Sequence, residues 1–381
     1  MPQDVRFFLP FESRTSPSAG RARAHHLDWV RAHALVDDGP ALRAYADWRL
    51  TDLAAYAYPE AVGEDLDLVT DAVGLGFPLD DQFDGELGRR PESVARLSTA
   101  LATVTYRPPG EPPTLDLPLT RAYADMWRRA ADGMSPAWRE RAARNLTRFF
   151  RSYVREARNR LAPAPLDEHS YLALRREAVG TGPCFDLIER AGHFEVPTRA
   201  YWSAEAQILT RCAGDVIFLC NDVHSLEREE EQGDPHNLVL IRRRAQGCSR
   251  ESAVRQVVEL VRGRVELFQR VAARLPALAE RLSLDAAGRE ATERYVAGLR
   301  CWMAGNQRWA VTSARYAGGV GGRDVVGDLT APARRPGALS APGARPSAPS
   351  PPPVPPAVPP PVPPAGSTAG AASTRTRTDP P

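Results

Sequence analysis

Between residues 66 and 84 the chain places Leu66, Val69, Val73, Phe77, Asp80 and Asp84 at successive intervals of 3, 4, 4, 3 and 4 residues. That rhythm is one face of an α-helix, apolar for three turns and acidic in its last. A second segment, DVIFLC at 215–220, is apolar on most sides. It turns polar in NDVHSLEREE at 221–230, where Asn221, Ser225 and Glu229 follow at intervals of four. A third stripe sets Trp302, Gly305, Trp309, Thr312 and Tyr316 at intervals of 3, 4, 3 and 4, with Arg315 beside its last member. Period-two alternation is scarce. Turn signals at DDGP (37–40), YRPPGEPP (106–113), GMSP (133–136), APAP (162–165), GTGP (180–183), EQGDPHN (231–237) and AGGVGG (317–322) separate helix-length segments rich in Ala, Leu, Arg and Glu. The pattern predicts an all-α fold with no internal repeat.

The periodicity fades after about residue 325, and Pro, Ala, Ser, Gly and Thr make up almost everything that follows. Such a segment has too little apolar surface to offset the entropy of ordering it. The expected organisation is one helical domain over 1–325 and a disordered, Pro/Ala-rich tail over 326–381. Over all 381 residues the formal net charge is +2, which gives no reason to expect nucleic acid as a partner. Every basic side chain other than histidine is arginine, so Schiff-base chemistry and lysine general bases are excluded. Five cysteines (Cys184, Cys212, Cys220, Cys248 and Cys301) show neither CxxC nor finger spacing, which argues against a disulfide scaffold or a structural zinc site. No signal-peptide pattern opens the chain, and no apolar run is long enough to span a bilayer. The cytoplasm is the expected setting.

The acidic end of the first stripe carries candidate chemistry. A solvated charge run normally sits opposite the apolar face, whereas Asp80 and Asp84 continue it and therefore point toward a cavity. Neighbouring carboxylates there repel one another and lose hydration unless a cation compensates. Asp80, Asp81 and Asp84 on one helix end, and Asn221, Ser225 and Glu229 on another, offer only hard oxygen donors, the ligand type that suits Mg²⁺. Each cluster has a bland reading as well. The first would be an acidic helix end capped near Gly85. The second would be a polar exit from the core, with Ser225 bonding back to a carbonyl.

The two motifs together, in this order and at this separation, resemble those of the bacterial class I terpene synthases, and among them the pentalenene synthase-like sesquiterpene cyclases. The likeness covers roughly residues 1–320. It implies an α-helical bundle around a hydrophobic, dead-ended cavity with three Mg²⁺ ions at its mouth. Asp80 would be the main bridging ligand of two ions, with Asp81 and Asp84 in support, while Asn221, Ser225 and Glu229 would hold the third. The Arg315–Tyr316 pair matches one that hydrogen-bonds the diphosphate, and Arg228 stands where relatives carry a basic residue. Arg175 lies 46 residues before Asn221, the spacing of the family's pyrophosphate-sensing arginine, with Arg176 the adjacent alternative. Gly180, Gly182 and Pro183 should then break the helix, which would make Ala178 the linker and Val179 the effector that turns a carbonyl toward substrate.

The implied reaction is Mg²⁺-dependent ionisation and cyclisation of farnesyl diphosphate to a sesquiterpene hydrocarbon or alcohol, by a monomer or homodimer. Phe77 and Trp309 lie on the stripes and could face a carbocation with their rings. His224 falls on a different face from the ligands and is expected at the surface. Pro78 should kink its helix beside the metal motif. Gly74 and Gly76 should widen the cavity, which keeps a diterpene cyclase using geranylgeranyl diphosphate as an alternative. From another class, a non-catalytic helical adaptor working through its proline-rich tail would have no use for the oxygen ligands.

Overall fold

The computed structural model describes residues 5–108, 110–162, 164–316, 325–326 and 328–330. Among these every α or β element is a helix. In chain order they are α1 (Ala19–Ala32), α2 (Pro40–Asp47), α3 (Leu50–Ala57), α4 (Gly63–Asp84), α5 (Pro91–Val104), α6 (Pro118–Ala131), α7 (Pro136–Leu161) and α8 (Glu168–Ala178). They continue as α9 (Thr181–Gly192), α10 (Thr198–Tyr201), α11 (Ala204–His224), α12 (Leu226–Gln232), α13 (Leu238–Gln246), α14 (Arg250–Ala272), α15 (Leu275–Arg281) and α16 (Ala286–Ala310). Local chemistry accounts for many of the starts. Ser135, Asp167, Ser203, Ser249 and Asp285 each accept a backbone N–H of the first turn that follows. Proline occupies the first turn of α2, α5, α6 and α7, where its missing N–H costs nothing.

The apolar stretch of α11 is buried on all sides from Cys212 to Cys220, packed mainly against α14 and α16. Helix α16 lies along α3, and α4 runs beside α1 and α3. Gly305 sets the first of these distances: a Cβ there would stand 2.8 Å from Tyr56 Cβ.

Pro78 does not end α4, which runs as one element from Gly63 to Asp84. Lacking an N–H, Pro78 leaves the Gly74 carbonyl one turn earlier without its helical donor. The Tyr45 hydroxyl takes that place, donating to Gly74 O at 3.0 Å. Tyr45 is held in turn by His26, whose Nε2 lies 2.9 Å from the hydroxyl and whose Nδ1 lies 2.8 Å from the buried Asp71. Gly74 therefore does not widen the cavity: a Cβ there would fall 2.2 Å from His26 Nε2. Gly76 does face open space.

The third stripe also differs from expectation. The helix stops at Ala310, Thr312 is exposed, and Arg315 and Tyr316 sit in a 3₁₀ turn, Ala314–Tyr316. Buried residues continue past 325: Val325, Val326 and Leu329 pack into the core, and Leu329 N donates to Gln82 Oε1 at 3.1 Å. A boundary at 325 falls between the buried Val325 and Val326. The proline-rich stretch beyond 330, expected to be a disordered tail, lies outside the described residues. Among the described residues no helix is long and apolar enough to cross a membrane.

Candidate active site

A cavity of about 1180 Å³, open solvent at its mouth included, is enclosed by α4, α6, α7, the α8–α9 junction, α11 and α16. Phe77, Tyr123, Met126, Trp127, Leu146, Phe149, Ile217, Trp302 and Trp309 form much of its wall. Asp80 from the first motif and Asn221 from the second line this same cavity, with Arg175, Val179 and Tyr316. The structure thus brings together seven of the candidate catalytic and metal-ligating residues: Phe77, Asp80, Arg175, Val179, Asn221, Trp309 and Tyr316.

Hydrogen bonds join the polar members. Arg175 donates to Asn221 Oδ1 at 2.7 Å, and Asn221 Nδ2 donates to the Tyr316 hydroxyl at 2.7 Å. Tyr153 donates to Asp80 Oδ1 at 3.3 Å. Arg176, the alternative sensor, instead grips the buried Asp215 with two bonds of 2.7 and 2.9 Å. The α8–α9 break falls at Val179 and Gly180, the latter left-handed at φ 72°. Pro183, four residues after Val179, has no N–H to offer the Val179 carbonyl.

The remaining motif residues surround this group without lining the cavity. Arg315 makes a two-pronged bond to Asp81, 2.8 and 2.6 Å, and also lies 5.4 Å over the Phe77 ring. Asp84 accepts from Arg160 at 2.6 Å. The second motif is not one continuous helix: α11 ends at His224, and Ser225 is the junction to α12. Ser225 Oγ bonds back to Asn221 O at 2.8 Å, the bland arrangement weighed from sequence. Glu229 accepts from Asn237 at 2.8 Å, and Arg228 stands 3.9 Å from Glu229. His224, expected at the surface, is buried with Nε2 3.1 Å from Gln307 Oε1, because Phe7 and Tyr316 pack around its ring.

Charge tests whether a metal would fit. Burial pushes the Asp80 carboxyl above its ordinary range, and the negative charges of Asp81 and Glu156 push it further. Asp84 is raised by burial and by Asp80, and Glu229 goes up to about 8, chiefly by burial. Among the described residues no three His, Cys, Asp or Glu side chains close around one point to make a metal cage. The site is instead a ring of oxygen donors, Asp81 and Ser225 buried and Asp80, Asp84, Asn221 and Glu229 half-buried, short of positive charge. That suits a hard cation that takes one or two carboxylates and completes its shell with water and phosphate oxygens.

Helix α7 supplies members that sequence reasoning missed. Leu146, Phe149, Tyr153, Glu156 and Arg160 recur at 3, 4, 3 and 4 residues, an apolar stripe that turns charged at its C-terminal end. The first three line the cavity, Glu156 is 5% exposed, and Arg160 holds both Asp84 and Asp234. The criterion that found α4 applies to α7 unchanged.

Comparison with known proteins agrees with this geometry. Residues 71–266 match the model of terpene synthase family 2, C-terminal metal binding. Pentalenene synthase of Streptomyces avermitilis is 41% identical, the alignment covering 83% of this chain and 94% of that protein. The farnesyl diphosphate-cyclising 7-epi-alpha-eudesmol synthase of Streptomyces viridochromogenes is 34% identical over 86% and 96%. Among solved structures, germacradien-4-ol synthase from Streptomyces citricolor matches with a TM-score of 0.72 at 36% identity, covering 82% of this chain and 99% of that one. An alpha-eudesmol synthase matches at 0.75 and 33%, covering 81% and 100%. The chain belongs to the terpene synthase family and is an enzyme of the class I type.

Proposed function

We propose that the protein ionises farnesyl diphosphate and cyclises it to a sesquiterpene hydrocarbon or alcohol, releasing diphosphate with Mg²⁺ as cofactor. One observation carries the reading: Asp80 and Asn221, one from each oxygen-bearing motif, face the mouth of a single cavity whose wall beyond them is mostly aromatic and aliphatic. The farnesyl diphosphate named for the eudesmol synthase relative supports the C15 substrate.

Asp80, with Asp81 and Asp84 behind it, and the trio Asn221, Ser225 and Glu229 would hold three Mg²⁺ ions. When bound, the metal neutralises the diphosphate and makes it a competent leaving group. Arg175, already on Asn221, reaches the same anion with its planar fork. Tyr316 offers its hydroxyl there, and Arg228 adds charge from the rim. Arg315 exchanges Asp81 for diphosphate oxygens, which frees Asp81 for the metal side and uncovers the Phe77 ring. Phe77 and Trp309 form an edge-to-face pair at 5.3 Å and present π faces to the allylic cation. Val179 turns a carbonyl without a helical donor toward the same space. The apolar wall folds the chain for ring closure and keeps bulk water from the cation.

The test is incubation of purified protein and Mg²⁺ with the C10, C15 and C20 diphosphates separately, followed by gas chromatography–mass spectrometry. A cyclic C15 product is expected. Turnover of the C20 substrate alone would overturn the substrate assignment, and no product from any of the three would overturn the reading as a whole.

A further inference from the structure

Away from its mouth the cavity holds a polar group that none of these roles uses. Trp302, Asn306 and Trp309 lie on one face of α16 at i, i+4 and i+7, and all three line the cavity. The neighbouring Gly305 fixes the roll of the helix, because its Cα face is pressed against Tyr56 and Ala57 of α3. Asn306 is 8% exposed, and its amide makes no hydrogen bond to any described residue. An amide has two donor hydrogens and an acceptor oxygen, and leaving all of them unused in a buried site is unfavourable. Trp309 cannot help, because its indole N–H already donates to Trp48 O at 2.8 Å. The hydroxyls of Tyr123 on α6 and Thr181 on α9, which also line the cavity, make no hydrogen bond to a described residue either, so the chamber offers a small molecule several polar contacts.

We infer that Asn306 holds a water molecule in the chamber and thereby directs the product toward an alcohol; the inference rests on the cyclase reading above. Asn306 Oδ1 accepts one O–H of that water and Nδ2 donates to its oxygen, which leaves a lone pair facing the chamber. The lone pair forms a C–O bond to the cationic carbon at the end of the cascade. The resulting oxonium loses one proton to the released diphosphate, since a neutral amide is not a base. Without the held water the same cation loses a proton from carbon and leaves as an alkene.

The experiment runs the reaction on farnesyl diphosphate in H₂¹⁸O, with diphosphate release measured alongside the chromatographed products. The expected wild-type product is an alcohol carrying ¹⁸O. In Asn306→Leu the alcohol share should fall by about tenfold or more in favour of alkene, because both hydrogen bonds to the held water are lost. Asn306→Met, unbranched and a good helix former, reads the same change should the leucine variant fail to fold. A wild-type product that is wholly hydrocarbon, or an alcohol share unmoved in the folded variant, overturns the role of Asn306 and leaves the cyclase reading standing. No diphosphate release by the wild type overturns that reading instead.

Discussion

Arg175 and Arg176 are neighbours with separate duties. Arg175 lies in the cavity and bonds Asn221, whereas Arg176 and Arg264 share the buried carboxylate of Asp215. Arg175→Ala should abolish product formation while leaving the fold intact by circular dichroism. Arg176→Ala should retain turnover but lose about 2 kcal/mol of stability in urea titration, less than a lone buried ion pair because Arg264 still covers Asp215. The spacing to Asn221 favoured Arg175 but could not say what Arg176 does, since its partner lies 39 residues away on α11. Glu156 escaped notice for another reason. A glutamate on an arginine-rich helix reads as surface, and only the apolar stripe ahead of it marks the buried side.

At the level of elements, the long helices were legible because their periodicity runs for several turns, as in α4 and α16. Their ends were not, because distant contacts decide them. The Trp309 indole and the Ser313 hydroxyl both donate to Trp48 O, at 2.8 and 2.9 Å. The chain leaves the helical path there, so Thr312 turns outward while Arg315 and Tyr316 turn in. Helix α4 shows the converse. Proline in a helix interior costs about 3 kcal/mol or more, because it takes the donor from the carbonyl one turn earlier, here Gly74. The answer comes from Tyr45, 29 residues away, backed by His26 and Asp71. Tyr45→Phe removes that donor and should cost about 1–3 kcal/mol by denaturant titration, the price of a buried carbonyl without a partner. Tyr45 does not line the cavity, so the product profile should keep its composition.

At the scale of the whole molecule, carboxylates outnumber cations not only around Asp80 and Asn221 but also between α7 and α9, where Arg141 alone serves both Asp186 and Glu189. Burial pushes Asp186 up to about 6 and Glu189 up to about 8, and Arg141 offsets only part of that. A carboxyl whose pKa is raised on folding binds its proton more tightly in the native state. Its stabilisation is complete below the unfolded value and is lost as pH rises through the folded one. The melting temperature should therefore decline between about pH 5 and 8. Glu189→Gln, neutral at every pH, should flatten that decline, and an undiminished slope in the variant would contradict the assignment. This cluster was invisible in the sequence, since residues 141, 186 and 189 belong to helices that only the fold brings together.

In the proposed reaction two oxygen-bearing helix ends converge so that divalent cations can draw a diphosphate from a prenyl chain. Its most direct test is the rate of diphosphate release from farnesyl diphosphate, measured for the wild type with Mg²⁺, for the wild type after chelation, and for Asp80→Ala and Asn221→Leu. Chelation and either substitution should each slow release by about 1,000-fold or more, equal to about 4 kcal/mol in the barrier to ionisation. Release that continues at the wild-type rate without a divalent cation, or in both folded variants, would contradict it.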